Sequence, residues 1–268
     1  MCYNILDYKL AKDKKMIDIH THILPGFDDG AGDMFDILEM LQMAVDCGVT
    51  DIVATPHCNI PRMFDNYFSQ AYVDCLMSVR KAVEKEQIPI RVLPGMEAFS
   101  TYDLPELITR GKIMPLNQSR YMLMEFSFGE DPEFADEVLK RVREIGAKPV
   151  IAHAERYEFV QENPQIIYEW RKRGYLVQLN KGSFLGRFGR RARSAAYLLM
   201  DHNLVSVIAS DAHSPYQRTP HMLDAYELLK EEYPERYLKM LFEENPRRIC
   251  ENQPAIRFAL KPFLDEEW

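Results

Sequence analysis

Apolar runs of five or six residues alternate with longer amphipathic stretches along nearly the whole chain. The runs Met16–His20, Asp51–Thr55, Ile90–Gly95, Tyr121–Phe126, Lys148–Ala152, Tyr175–Leu179 and Val205–Ala209 are mostly rich in Ile, Val or Leu. That composition suits strands buried on both faces. Helical periodicity fills the gaps. From Asp33 to Cys47, Ile37, Leu38, Leu41, Ala44 and Val45 share one face. Asp33 can cap the start of that helix, and Gly48 can take the left-handed position after its end. A second helix is expected over Glu133–Ile145, closed by Gly146, and a third over Pro164–Arg173, closed by Gly174.

Repeated strand–helix units predict a parallel sheet with right-handed crossovers. Seven strands fit a closed barrel or an open doubly wound sheet. No Gly-x-Gly-x-x-Gly follows a strand and no Gly-Lys-Thr phosphate loop is present, which weakens the nucleotide-binding version. With no internal repeat and no low-complexity linker, the expected division is a polar arm over residues 1–15, one domain over 16–252, and a tail over 253–268.

Composition narrows the function. The chain has 268 residues, 47% of them hydrophobic, enough for one large core. A net charge of −8 argues against nucleic acid, whose phosphates demand a basic footprint. No run of 18 apolar residues predicts a membrane span, and Met1–Lys15 lacks the apolar core of a signal peptide. Five scattered cysteines without a Cys-x-x-Cys pair suit a reduced, cytoplasmic protein.

The candidate chemistry is positional. His20 and His22 end the first strand, His57 follows the second, Glu97 the third, Glu125 lies at the end of the fourth, His153 follows the fifth, and Asp211 and His213 follow the seventh. In parallel α/β folds this carboxyl rim is where ligands bind. Five of the seven histidines fall there; His202 and His221 do not. Imidazole and carboxylate suit Mn, Fe, Zn or Mg. Asp28 and Asp29 lie in a Gly-flanked loop from which a carboxylate can turn back to the rim.

These segments resemble a known family. Ile-Asp-Ile-His20-Thr-His22-Ile-Leu-Pro-Gly-Phe-Asp-Asp29-Gly, Ala-Thr-Pro-His57, Leu-Pro-Gly-Met-Glu97, Leu-Met-Glu125-Phe, Ile-Ala-His153-Ala-Glu-Arg156 and Ala-Ser-Asp211-Ala-His213 are similar to motifs of the polymerase-and-histidinol-phosphatase superfamily. Within it, they resemble the manganese-dependent protein-tyrosine phosphatases of bacterial capsule and exopolysaccharide loci. The resemblance implies a distorted seven-stranded (β/α)7 barrel with about three divalent ions, Mn2+ first and Fe, Zn or Mg as alternatives. It implies His20, His22, Glu97 and Asp211 on one ion, Glu97, Glu125 and His153 on a second, and Asp29, His57 and His213 on a third. Arg156 and Arg218 match the phosphate-binding arginines. The implied substrate is the tyrosine-rich tail of a bacterial tyrosine kinase, attacked by a metal-bridging hydroxide.

Two departures stand out. The family's His-Pro-Glu-Arg is His153-Ala154-Glu155-Arg156 here, which predicts a looser loop under Arg156, and fifteen residues precede the usual family start. A cysteine-based phosphatase is excluded by spacing: no cysteine has an arginine six residues later. The rivals are a histidinol-phosphate or small-molecule phosphatase of the same superfamily, a non-catalytic metal-binding component of a polysaccharide assembly complex, and a metal-dependent amidohydrolase. The last usually has a lysine where this chain has Glu125. The basic stretch Gly186–Arg193 reads first as a solvated helix start, and second as an attractor for an acidic tail. Oligomeric state is left open by the sequence.

Overall fold

The structure, a computed structural model, describes residues 14–263. The arm expected over residues 1–15 lies outside the described residues except for its last two, and residues 264–268 of the tail lie outside as well.

The strands are β1 (Met16–Thr21), β2 (Val49–Ala54), β3 (His57–Cys58), β4 (Arg91–Pro94), β5 (Glu97–Phe99), β6 (Tyr121–Glu125), β7 (Lys148–Ile151), β8 (Leu176–Asn180) and β9 (Val207–Ala209). The helices are α1 (Met34–Asp46), α2 (Gln70–Lys85), α3 (Leu104–Thr109), α4 (Pro132–Glu144), α5 (Glu158–Glu162), α6 (Gln165–Arg173), α7 (Lys181–Phe184), α8 (Gly189–Asp201), α9 (Leu223–Lys230), α10 (Glu235–Lys239) and α11 (Asn245–Cys250). Every expected strand position carries a strand. Asp33 caps α1 through bonds from Phe35 N and Asp36 N at 2.8 and 3.0 Å, and Gly48 takes φ +89° after it. Helix α2 was not among the expected ones. Its inward face is the narrow stripe Tyr72, Leu76, Val79 and Val83, and charged residues cover its outer turns.

All strand pairs are parallel, in a three-stranded sheet β1-β2-β4 and a curled six-stranded sheet β3-β5-β6-β7-β8-β9. The second and third expected strands are each followed at once by a further short strand, β3 and β5, that was not expected. Pro56, which has no N–H to give a ladder, separates β2 from β3. Between β4 and β5 the Tyr72 hydroxyl contacts both backbone groups of Gly95, at 2.9 Å from N and from O. A Cβ at Gly95 would meet Val53 Cγ1 at 2.7 Å, so only glycine fits where the strands pass.

Strand side chains alternate between two cores. Ile17, Ile19, Val53, Tyr121, Leu123, Val150, Ala152, Leu176, Val207 and Ala209 form an inner cluster. Met16, Ile52, Ala54, Val92, Met122, Met124, Ile151, Val177 and Leu179 face the helices. Strict alternation from Ile17 and Ile19 would turn His20 to the opposite face. A register shift prevents this: Asp18 is opposite Ile52 but Thr21 is opposite Ala54, so β1 holds one extra residue. Such a bulge reverses the phase of the pleat and re-aims the side chains after it.

The described part of the tail packs on the chain's own surface through Phe258, Leu260 and Phe263. The Phe263 ring stacks 3.9 Å from that of His202, and Asn245 bonds both backbone groups of Ile256. Among the described residues, no helix is long and apolar enough to cross a membrane.

Candidate metal centre

The carboxyl ends of the strands converge on one cluster. The bulge in β1 delivers His20 and His22, and the loop after it returns over them. Gly30 passes so close that a Cβ there would lie 2.3 Å from the His22 carbonyl oxygen. His57 and Glu97 open β3 and β5 side by side in register, and Glu125 closes β6. His153 and Asp211 follow β7 and β9 with φ of 33° and 52°. Left-handed backbone at two non-glycine positions is costly and is held here by the surrounding structure.

Three groups of donor atoms result. His20 Nε2 lies 3.1 Å from Glu97 Oε2 and 3.5 Å from Asp211 Oδ1, and His22 Nε2 lies 3.4 Å from each of those oxygens. His57 Nδ1 sits 3.0 Å from both Glu97 Oε2 and Glu125 Oε2. The other nitrogen of His57 and His213 Nε2 each lie 3.5 Å from Asp29 Oδ1. His153 Nε2 contacts the remaining Glu97 oxygen at 3.0 Å. All nine expected ligand-type residues therefore meet in one place. The second grouping differs from the implied one, because His57 stands beside Glu125 and turns its two nitrogens to two groups. Asp29 is 57% exposed whereas Glu97 is fully buried, so the cluster opens to solvent on the Asp29 side.

Electrostatically the cluster is short of cations. Burial opposes charge on His20, yet Glu97 and Asp211 outweigh it and raise its pKa; His57 is pushed up to about 10 in the same way by Glu97 and Glu125. Burial also works against ionised Glu97 and Asp211, but the facing imidazoles hold both well below the usual carboxylate range. Glu125 is raised, by burial and by the charge of Glu97. Burial and the neighbouring His22 depress His213 to about 4.

The donor geometry fits divalent ions. Buried atoms normally find hydrogen-bond partners. Glu97 Oε2, Glu125 Oε2, His57 Nδ1 and His213 Nε2 have none, although they crowd within about 3 to 3.5 Å of other donors. They point at common centres rather than at one another. Two ligands at about 2.1 Å from one ion, at right angles, are roughly 3.0 Å apart, which is the spacing of the His57, Glu97 and Glu125 atoms.

Sequence reading missed Gln178, which orients this set, and brought Asp28 to the rim without showing its partners. Gln178 Oε1 faces His20 Nδ1 at 3.0 Å and accepts the His153 backbone N–H at 2.9 Å. Its amide donates to Asn180 Oδ1 at 2.8 Å, and Asn180 Nδ2 donates to Asp211 Oδ2 at 2.6 Å. Three ligands thus hang on one buried polar chain. Asp28 Oδ2 does the same for the other side, 2.6 Å from His22 Nδ1 and 2.8 Å from His57 N. Alternation with Leu176 in β8 was the only available hint for Gln178. Supporting partners of this kind are worth about 10- to 100-fold in metal affinity. Gln178→Leu is therefore expected to bind metal about 10- to 100-fold more weakly while keeping its fold. Metal titration of the chelated protein checks this, and unchanged affinity would leave Gln178 a packing residue only.

The loop under Arg156 is not loose. Glu155, fully buried, accepts from Asn180 N at 3.0 Å and Ser183 Oγ at 2.5 Å, tying the turn to the end of β8 without the proline. Arg156 and Arg218 both reach the rim. Arg218 pairs directly with Asp211 Oδ2, and Arg156 Nη1 stands 3.6 Å from the same oxygen. Lys181 turns away to Asp224 at 3.0 Å. Burial pushes the Cys58 thiol up to about 12, the wrong direction for a nucleophile. In the basic stretch, Arg191 pairs with Glu162 at 3.4 Å and Arg187 bonds the Gln217 carbonyl.

Known proteins resemble this chain along most of its length. Residues 16–251 match the family described as capsular polysaccharide synthesis, CpsB/CapC. The chain is 35% identical to the tyrosine-protein phosphatase YwqE of Bacillus subtilis over 247 residues, 92% of this chain and 96% of that one. It is 31% identical to the tyrosine-protein phosphatase CpsB of Streptococcus pneumoniae over 243 residues, 89% of this chain and 99% of that one. A crystal structure from work on those two proteins, described as metal-dependent tyrosine phosphatases, superposes with a TM-score of 0.86 at 35% identity, covering 93% of this chain and 100% of its own. With its ligand-type residues gathered at the carboxyl ends of its parallel strands and matches running nearly end to end, this chain belongs to the CpsB/CapC family.

Proposed function

We propose that this protein is a metal-dependent phosphoric monoester hydrolase acting on phosphotyrosine. Its substrate in this reading is the tyrosine-rich tail of a bacterial tyrosine kinase that governs capsule or exopolysaccharide export. The observation that carries the proposal is the meeting of nine metal-ligand side chains with two arginines at one partly open rim. His20, His22, Glu97 and Asp211 would hold one ion; Glu97, Glu125 and His153 a second; Asp29, His57 and His213 a third, with His57, whose neutral ring has one lone pair, serving a single ion. Manganese is the preferred metal. Such ions supply Lewis acidity for the phosphoester and lower the pKa of water.

The chain's own groups do the rest. Arg156 and Arg218 donate to the nonbridging phosphoryl oxygens, and a planar guanidinium can do so with two parallel bonds. The open side at Asp29 admits the phosphorylated side chain. A tyrosinate leaving group, with a pKa of about 10, needs little help from an acid. The two sheets act in this reading as one distorted seven-position barrel, since β2 with β3 and β4 with β5 are consecutive and a bridge from Thr21 to Ala212 joins the ends. A cytoplasmic setting is supported by four free cysteines among the described residues.

The test is hydrolysis by the purified protein, chelated and then given manganese, of a phosphotyrosine peptide and of histidinol phosphate in parallel. Turnover of the peptide that vanishes on chelation and returns with manganese is expected. Preference for histidinol phosphate would overturn the substrate, and no turnover with metal bound would overturn the enzyme.

A further inference from the structure

Arg156, partly buried at the rim, is held between aromatic faces. Its guanidinium carbon lies 4.3 Å from the centre of the Phe128 ring and 4.2 Å from the centre of the Phe188 ring. The rings come from separate loops, Phe128 between β6 and α4, and Phe188 directly before α8. Among the described residues no hydrogen bond reaches the guanidinium. The nearest carboxylate oxygen, Asp211 Oδ2 at 3.6 Å, is beyond hydrogen-bond distance. That oxygen is already engaged by Arg218 and by Asn180. What fixes the plane of Arg156 is therefore the pair of rings.

The sandwich is itself built in. Gly182 on α7 lies under Phe188, where a Cβ would meet the ring at 2.8 Å, so the ring can lie down only because residue 182 has no side chain. The same ring faces the Arg218 guanidinium at 5.8 Å. Phe128 sits beside the His153 ring at 5.8 Å, which locks the sandwich to the metal centre.

We propose that Phe128 and Phe188 are positioning residues that clamp Arg156 between two aromatic faces, orienting its edge for a phosphoryl group while leaving its donors unspent. This rests on the phosphate-binding role given to Arg156 above. A carboxylate in the same place would orient the arginine too, but it would occupy the donors and cancel the charge that the phosphate needs. Aromatic faces attract a guanidinium through the ring quadrupole without competing for its N–H groups.

The experiment uses the manganese-loaded protein and Phe128→Leu, Phe188→Leu, Phe188→Trp and Gly182→Ala, each with and without Arg156→Ala. Metal content, kcat/KM on a phosphotyrosine peptide and affinity for inorganic phosphate are measured throughout. In the wild-type background each leucine variant is expected to lose roughly 5- to 30-fold in kcat/KM and in phosphate affinity. Phe188→Trp recovers most of that loss, and Gly182→Ala, which displaces the ring, shares it. In the Arg156→Ala background the same changes cost nothing further, because the group they position is gone. Equal losses in both backgrounds, or no loss, would overturn the clamp. Loss of metal from the leucine variants would overturn it too, by assigning the rings to the architecture of the centre. If Arg156→Ala alone has no effect on turnover, the phosphate role of Arg156 fails, and that result is separate from any effect of the rings.

Discussion

Glu97→Gln gives a folded protein that has lost its metal stoichiometry and at least about a thousandfold of its phosphatase activity. Among the described residues, no other carboxylate of the cluster faces as many imidazoles. One oxygen of Glu97 lies within 3.0–3.4 Å of nitrogens on His20, His22 and His57, and the other lies 3.0 Å from His153. The carboxylate is fully buried, and it stays ionised only because imidazoles surround it. An amide of the same shape removes the charge and presents N–H groups to the ion, so two of the three ligand groups are spoiled at once. The neutral isostere minimises the cavity and avoids leaving an unpaired buried charge, so circular dichroism should stay that of the wild type. Metal analysis alongside turnover decides the matter. A Glu97→Gln protein with full metal and full activity would take Glu97 out of the centre.

Arg156→Ala is expected to do the opposite with metal, keeping its content while turnover falls about 10²- to 10³-fold, the usual cost of one preorganised donor to a developing anion. The prediction follows from what Arg156 does not touch. It makes no hydrogen bond to any ligand, and its approach to Asp211 is long. Arg218 is different, because it pairs directly with Asp211 Oδ2, so its removal loosens a ligand as well as a phosphate contact. Comparing the two alanine variants separates the roles. Metal lost from Arg156→Ala along with activity would make that arginine a prop for Asp211 and not a phosphate group.

Much of the centre was legible without coordinates. Parallel α/β architecture puts strand ends on one rim, so a histidine or carboxylate at nearly every end is a readable signal, and those eight residues do meet, joined by Asp29 from the loop after β1. Glycines 48, 146 and 174 were readable as helix stops for an equally local reason, and each takes positive φ. Helix α2 was not, because a one-residue-wide apolar stripe under charged turns gives little periodic contrast.

The limits of the sequence are specific. Periodicity reads one segment at a time, so it could not show that Tyr72, from the helix just before the third strand, would bind both backbone groups of Gly95 and part β4 from β5. It could not show the bulge between Asp18 and Thr21 either, and without that bulge His20 would point at the helices. Nothing local marked Gln178 as a partner of the ligands, Asp28 was readable only as one of two loop carboxylates able to turn back to the rim, and no local pattern paired Phe128 and Phe188 with Arg156. The sequence by itself determined which chemical groups sit at the strand ends, since residue type and two-residue alternation are local properties. Only the tertiary structure decided which of those groups share a centre, how each ring is turned and what clamps the arginine. Those depend on register, on a bulge and on contacts between loops distant in sequence, and no local pattern encodes them.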